Sequence, residues 1–502
     1  MKKLHDLFHA HSVLKKETAA ERIRISKRVS GSHHFLTDQL ESAVSHGYIQ
    51  NYDEMAVLMY PQTSSQINTL YQVTHRAKRK VLDELTLEDL GHNLRNEYDK
   101  RKYEVNRNVM IAEVMILKGF SKPGWELMKK AFVTSVKYEL TFFSYQINQR
   151  LCYHSSMVGS YSKNLNALRQ SLTLSKRLNA EREADNLFSE LTLLMRNRWH
   201  FEDRIKSKAI LAYRRVQGLM RTYHSHALWL AYFRISIYYY YTCGNYRSLL
   251  SSTRRFRRYL IERPHLQQDA RWAELAHHEI NACMTLRNFV YGLRSAEEKK
   301  KYLHPNNHNW MLYQENYFQL LLHAKKYGKA REVYNEVAAS RFWKNRSTSQ
   351  REIWKIYLAY LHFALNDTKQ IELFMPARFL NEINTFRKDK EGLNFVIQVA
   401  EMMYLLAHND ADRLAEFGES FRIYVSRHIS RRKHYRSYYF SKLLLLLFKY
   451  DFDVGKAEII GEKFHNRLLS FQTRSQQDRE MSELIPYDHL WIMILRVMKE
   501  KK

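Results

Sequence analysis

The chain has 502 residues, and its 81 Lys and Arg outnumber its 52 Asp and Glu, which gives a formal net charge of +29. Only 14 Gly and 6 Pro leave few turns and bulges over this length, so we expect long helices joined by short loops. Three widely spaced cysteines, Cys152, Cys243 and Cys283, argue against a disulfide framework and against a zinc site. A reducing compartment is the simpler interpretation.

The positive charge is concentrated in the middle of the chain. Residues 101–350 hold 42 Lys and Arg against 19 Asp and Glu, so +23 of the +29 lies there. Such a field attracts nucleic acid, anionic lipid or an acidic protein surface, although a solvated outer face has the same composition. No secretory signal follows the first lysines, and the most apolar run, Leu443–Phe448, is too short to span a bilayer. We therefore expect a soluble, cytoplasmic protein.

Residues 1–100 are predicted to form a helical N-terminal capping region, because they are helical by periodicity but do not share the later repeat. A helix is expected over Thr63–Leu85, and it carries a basic run that includes Arg76 and Lys78–Lys80. A helix-turn-helix reader of DNA is the alternative for this region, but no tight Gly turn with a second recognition helix follows.

Residues 101–475 are predicted to repeat as helix, turn and second helix with a period of about 41 residues. The turns are anchored at Gly119, Gly159, Phe201, Gly244, Asn288, Lys326, Asn366, Asn409 and Asp451. The helices after four of these turns share an apolar stripe at steps of three, four and three residues. Its members are Tyr246, Leu249, Thr253 and Phe256; Tyr327, Ala330, Tyr334 and Val337; Ala411, Leu414, Gly418 and Phe421; and Val454, Ala457, Gly461 and Phe464.

This pattern predicts an all-α protein of stacked antiparallel helix pairs, an α-solenoid. The small residues of the stripe, such as Gly418 and Gly461, are expected where neighbouring helices approach closely. Residues 476–502 contain no further unit and are predicted to form a C-terminal capping helix, LWIMILRVM at Leu490–Met498.

The segment AKKYGKAREVYNEV at Ala324–Val337 resembles the second half of a tetratricopeptide repeat, and YTCGNYRSLL and YDFDVGKAEII are weaker relatives of it. The period of about 41 exceeds the usual 34 of that family and suits the length of armadillo or HEAT repeats. The resemblance implies a right-handed superhelix whose concave surface binds protein segments.

The sequence contains no phosphate-binding loop, no His-Glu-x-x-His and no Gly-x-Ser-x-Gly elbow, so we predict no catalytic residue, cofactor site or metal ligand. The candidate site residues are basic instead. Arg247, Arg254 and Arg258 share one stripe of a predicted helix, and Arg255 lies on the far side of that helix. A second cluster follows in the inter-repeat segment SRHISRRKHYRSYYF: Arg431, Arg432, Lys433 and Arg436.

Arginine forks match carboxylate and phosphate groups, so both clusters are candidate partner-binding sites. The alternative is a solvated helix face or pairing with acidic residues of the next repeat. The aromatic run Tyr238–Tyr241 suits either packing between repeats or base stacking. We expect a non-enzymatic scaffold that binds an acidic protein, with concave residues of the first helices gripping the partner segment. Binding of RNA or DNA, including the ribosome surface, through the basic middle is the alternative.

Overall fold

The computed structural model describes residues 72, 74–75, 94–158, 161–196, 202–303, 305, 308–340, 343, 347–383, 393–432, 434–470 and 483–500. Within these residues it contains nineteen α-helices, two short 3-10 helices and no strand, so the protein is all-α, as predicted. The chain divides into two units, residues 1–107 and residues 108–502. Most of the predicted N-terminal cap lies outside the described residues, as do Gly159, Phe201 and Lys433.

The helices are α1 (Glu97–Leu117), α2 (Ser121–Lys137), α3 (Thr141–Val158), α4 (Tyr161–Arg196), α5 (Glu202–Thr222), α6 (His226–Thr242), α7 (Tyr246–Glu262), α8 (Asp269–Thr285), α9 (Phe289–Lys299), α10 (His308–His323), α11 (Tyr327–Ala339), α12 (Thr348–Leu365), α13 (Thr368–Leu373), α14 (Pro376–Glu382), α15 (Leu393–His408), α16 (Ala411–His428), α17 (Tyr435–Lys449), α18 (Val454–Ser470) and α19 (Tyr487–Glu500). The 3-10 helices are Pro264–Leu266 and Lys300–Tyr302.

Most of the tight turns between these helices share one backbone geometry. At Asn366, for example, φ is +52°, its amide donates to the Phe363 carbonyl at 3.1 Å, and the Asp367 amide donates to the His362 carbonyl at 3.1 Å. These two bonds define a Schellman motif, which satisfies the last carbonyls of a helix. The same pair of bonds and a positive φ recur at Gly119, Glu139, Gly244, Arg287, Lys325 and Asn409.

The N-cap residue of the next helix directly follows the left-handed residue. Asp367 is the N-cap of α13 and accepts a hydrogen bond from the Gln370 amide at 3.3 Å; Asp410 and Asn245 cap α16 and α7 in the same way. Only two or three residues therefore separate each pair of helices, so the second helix folds back on the first. Apart from Glu139, these turns lie within one residue of positions anchored by the repeat.

The apolar stripes of the second helices are largely buried. Ala330, Val337 and Phe421 are fully buried, whereas Ala411, at the start of its stripe, is exposed. A Cβ atom on Gly418 would lie 2.5 Å from Cδ1 of Phe448, so this position holds glycine because another helix presses against it. This is the close approach expected for the small residues of the stripe.

The helix lengths depart from a uniform repeat in two places. α4 runs unbroken for 36 residues, through the region where one predicted unit would end and the next begin. α13 and α14 are short helices of six and seven residues that replace one longer second helix. The structure therefore contains helix hairpins of unequal length. The regular superhelix with a concave surface stays a prediction.

α19 is more than a cover for the last hairpin. It packs on α15, α17 and α18, and the Tyr487 ring stacks on Phe440 with centroids 4.4 Å apart. It also meets the turns of hairpins much earlier in the chain. The Arg287 guanidinium donates to Asp488 at 2.8 Å, and the Asn366 amide group donates to Glu500 at 3.4 Å. α19 therefore ties helices α8 to α18 together.

Candidate interaction surface

Helix α7 carries the first predicted cluster. Asn245 caps its N-terminus, and the buried side of the helix includes Leu249 and Phe256, which pack on α6 and α8. All four predicted arginines of this helix are exposed: Arg247, Arg254, Arg255 and Arg258. The steps from Arg247 to Arg254 and from Arg254 to Arg258 correspond to about 10 Å and about 6 Å along the helix axis.

These four arginines have no acidic partner in the described chain. No carboxylate of the described residues lies within 4.0 Å of any of them, whereas neighbouring Arg257 pairs with Glu298 at 2.6 Å. Arg254 places its guanidinium carbon 4.5 Å from the centroid of the Tyr291 ring, a cation–π contact that fixes its orientation. The α7 stripe, Arg247, Arg254 and Arg258, is therefore an uncompensated positive surface.

Elsewhere, ion pairs link neighbouring helices, and the two charges of each pair neutralise each other. Arg234 of α6 binds Glu274 of α8 at 2.7 Å, and Lys329 of α11 binds Glu297 of α9 at 3.1 Å. Pairs of this kind are the alternative that the sequence left open for the basic clusters. The contrast shows that charge pairing between neighbouring helices is common in this fold and that the α7 stripe does not take part in it.

Arg255 lies beside a group of tyrosines. Its positive charge and a hydrogen bond act on the Tyr232 hydroxyl, but burial and the Tyr213 hydroxyl outweigh them and raise the pKa of Tyr232 to about 12. Tyr232 thus stays protonated at neutral pH. Arg255 is exposed but partly committed to this group, unlike Arg247 and Arg258.

Two further exposed arginines, Arg214 and Arg221, lie on α5 with no carboxylate within 4.0 Å in the described chain. Arg215, which directly follows Arg214 in the sequence, is engaged instead and binds Glu183 through two nitrogens. The sequence analysis did not single them out, although they contribute to the excess of +23 over residues 101–350. The charge count of the sequence identified the basic region of the chain. Only the ion pairs of individual side chains show which of its arginines are bound to carboxylates and which are not.

The structure does not bring the second predicted cluster onto one surface. Arg431 and Arg432 are exposed in the turn between α16 and α17, and Lys433 lies outside the described residues. Arg436, by contrast, is buried, with only 6% of the residue exposed. It is therefore not available to a partner, and we leave it out of the proposed surface.

The buried guanidinium of Arg436 is fully engaged. It donates to both carboxylate oxygens of Glu483 at 2.9 and 2.8 Å, to Asp488 at 2.7 Å and to the Leu468 carbonyl at 2.6 Å. The sequence held a signal for this burial, because Arg436 falls on the same helical stripe as the buried Phe440 and Leu443. The local density of positive charge outweighed that signal in the sequence analysis.

The aromatic run Tyr238–Tyr241 is half-buried and packs against neighbouring helices. Tyr238 stacks on Phe188 with centroids 5.6 Å apart, and Tyr239 stacks on Tyr213 at 4.6 Å. The Tyr241 hydroxyl lies 3.3 Å from Nδ1 of His278. The rings thus join α6 to α4, α5 and α8, which favours packing between helices over an open platform for bases.

The described residues contain no group of three His, Cys, Asp or Glu placed to hold a metal ion, and none of their helices is long and apolar enough to cross a membrane. The fold and the surface define an all-α protein with an uncompensated arginine face. No family model matches the chain, and no curated protein or solved structure matches it either.

Proposed function

We propose that the protein is a non-enzymatic, helical-repeat scaffold that binds an acidic segment of another protein on the outer face of α7. The observation that carries this proposal is the α7 stripe, whose three arginines are exposed and have no carboxylate partner among the described residues, beside helices whose charges are paired. An arginine fork binds a carboxylate in a planar, two-bonded geometry, and a row of such forks favours a partner with repeated Asp or Glu.

We place the binding site on the outer face of α7 and not on the concave surface that the tetratricopeptide resemblance implies. α19 already packs on α15, α17 and α18 and reaches the turns at Arg287 and Asn366. A partner approaching these elements would have to displace α19, whose Leu490, Trp491 and Ile494 are buried. Within the part of the chain that the structure describes, the α7 stripe is exposed without any such rearrangement.

The spacing of the stripe suggests the form of the partner. Carboxylates seven and four residues apart on an α-helix repeat the steps of about 10 Å and about 6 Å that separate the arginines. Each exposed pair contributes up to about 1 kcal/mol, so the charges act mainly on encounter rate and selectivity. The three free cysteines support a reducing, cytoplasmic setting for this scaffold.

A defined peptide tests the proposal. The probe is a fluorescein-labelled helical peptide with Glu at positions i, i+7 and i+11, and the readout is fluorescence anisotropy at low salt. Replacing Arg247, Arg254 and Arg258 together by Glu should weaken binding by at least about tenfold, because three attractive pairs become repulsive. Affinity should also fall as salt is added.

α18 offers a matched control. Lys456, Lys463 and Arg467 are exposed at the same steps of seven and four residues, and their replacement by Glu changes the net charge by the same amount. This control should change affinity less than about threefold. Equal losses in the two triple variants would mean that only the overall charge matters, and the proposed α7 site would be wrong.

Nucleic acid is the second candidate, favoured by the additional free arginines Arg214 and Arg221 on α5. Neutralising several phosphates releases counterions, so the affinity for RNA or duplex DNA should fall steeply with salt. A filter-binding assay over a range of salt concentrations measures this slope. If neither a 30-base-pair duplex nor an RNA of similar length binds detectably at low salt, nucleic-acid binding by the α7 face is excluded.

A further inference from the structure

A groove with a volume of about 380 Å³ lies between α2 and α3, and no residue of the α7 stripe lines it. Five side chains line it: Trp125 from α2, and Gln146, Gln149, Arg150 and Tyr153 from α3. The four α3 residues follow steps of three, one and three, which places them on one face of that helix. All five side chains end in a planar group, namely an indole, two amides, a guanidinium and a phenol.

Contacts outside the groove fix several of these groups before any ligand arrives. The Trp125 ring lies against His154, with centroids 4.1 Å apart. The Gln149 amide donates to the Tyr145 hydroxyl at 2.6 Å, and Arg150 forms an ion pair with Glu113. The site is therefore preorganised, which lowers the entropy cost of binding.

Other groups of the groove remain uncommitted. The Gln146 amide and the Tyr153 hydroxyl make no hydrogen bond within the described chain, and Tyr153 is 66% exposed. An amide presents a donor and an acceptor side by side, the arrangement that reads the edge of a nucleobase. An exposed aromatic ring offers the face on which a base stacks.

From this set of groups we infer that the groove binds a nucleobase, either of a free nucleotide or of single-stranded RNA. The base stacks on Trp125 and Tyr153, and the Gln146 amide meets its hydrogen-bonding edge. Exposed lysines of α2, Lys122, Lys129 and Lys130, supply positive charge near the same helix for the phosphates. An acidic peptide suits the groove less well, because its one arginine is already paired with Glu113. The inference does not rest on the proposed scaffold function.

Labelled oligonucleotides test it. The probes are fluorescein-labelled rU10 and rA10 and an abasic ribose-phosphate decamer of equal charge, and binding is followed by anisotropy. Either base-containing strand should bind more tightly than the abasic strand. Trp125→Leu should weaken binding of the base-containing strand by about 5- to 150-fold, the range found for loss of one stacked base, and leave abasic binding unchanged.

Two variants serve as controls. Trp125→Phe keeps a ring for stacking and should restore most of the affinity, which a merely misfolded variant would not do. Phe142→Leu changes an exposed ring on α3 that does not line the groove, and it should have no effect. Competition by UMP and AMP identifies a free nucleotide as the source, whereas competition by oligomers alone identifies a strand.

Three outcomes would overturn the inference: equal affinity for base-containing and abasic strands, no binding of rU10, rA10, UMP or AMP, or unchanged binding by Trp125→Leu. The α7 charge reversal separates the two sites. If that triple variant abolishes RNA binding while Trp125→Leu does not, RNA binds the arginine face and the groove is not its site. Loss of base-dependent binding by Trp125→Leu with intact binding of the acidic peptide would establish the groove independently.

Discussion

Replacing Asp488 with Asn should loosen the attachment of α19 to the rest of the protein. The Asp488 side chain is 3% exposed and accepts hydrogen bonds from Arg287 at 2.8 Å and from Arg436 at 2.7 Å. Asn has nearly the same shape but no charge, so two buried or half-buried guanidinium groups lose the anion that they share. The fold stays the same, and only the electrostatic attachment changes.

The size of the effect follows from burial. Removing one partner of a buried ion pair costs about 3–5 kcal/mol, because the remaining charge is left without compensation. The Asn side-chain oxygen still accepts one hydrogen bond, and Arg436 keeps Glu483, so the lower end, about 3 kcal/mol, is expected. This corresponds to a change of roughly 100-fold in the opening equilibrium of the helix.

Native-state hydrogen exchange measures that equilibrium directly. Amides in α19 should exchange roughly 100-fold faster in Asp488→Asn than in the unmodified protein, with a smaller change in helices remote from α19. Lys499→Ala is the matched control on the same helix, because Lys499 forms an exposed pair with Glu458 that contributes about 1 kcal/mol or less. Equal protection of α19 in the two variants would refute the role assigned to the buried carboxylate.

The same carboxylate predicts a dependence on pH. Burial raises the pKa of Asp488, but the hydrogen bonds and positive charges of Arg287 and Arg436 outweigh burial and hold its pKa well below the ordinary value. A depressed pKa in the folded state means that this stabilisation is complete above the unfolded value of about 3.9 and is lost as pH falls below it. Protection of α19 should therefore decline below about pH 4, and Asp488→Asn should remove that part of the decline.

Further outcomes concern packing and histidine burial. Gly418→Ala places a Cβ atom 2.5 Å from the Phe448 ring and should lower the free energy of unfolding by about 1–3 kcal/mol, measured by thermal denaturation. Gly328→Ala is the control, because its Cβ atom meets no atom within 4 Å, and it should be neutral or stabilising by up to about 1 kcal/mol. Equal shifts in Tm would contradict the close helix contact. Burial and nearby positive charges lower the pKa of His226 to about 4, so its contribution to stability is present above about pH 6.5 and falls by about 2 kcal/mol by pH 5. His226→Phe should flatten the urea midpoint between pH 7.5 and 5, and the same substitution at the exposed His224 should not.

Much of the local structure could be predicted from the sequence because its signals are short in range. A left-handed residue followed by a capping residue, as in Asn366-Asp367 and Asn409-Asp410, marks a helix end and a helix start within two positions. The apolar stripe of Ala330 and Val337 identified which face of α11 is buried. Both patterns depend on neighbours within one or two helical turns.

The contacts of α19 could not be predicted in this way. Asp488 and Arg287 are 201 positions apart, and no local pattern in either segment names the other. Long sequence separation also explains why the burial of Arg436 was not predicted. Its carboxylate partners, Glu483 and Asp488, follow 47 and 52 residues later. Charge density in a sequence shows where cations are abundant, but only the folded chain shows which of them are already neutralised.

The long reach of α19 has a consequence for the order of folding. Contacts between distant parts of a chain carry a large loop-closure cost and slow the last steps of folding. During synthesis, Arg287 and the turn at Asn366 leave the ribosome long before Asp488 and Glu500 have been made. The hairpins from α8 onward can form in sequence as they emerge, but their buried surface against α19 stays exposed until that helix arrives. During synthesis there is therefore a stage in which the apolar surface that α19 will cover is exposed to solvent. Chaperones would act on the protein at this stage.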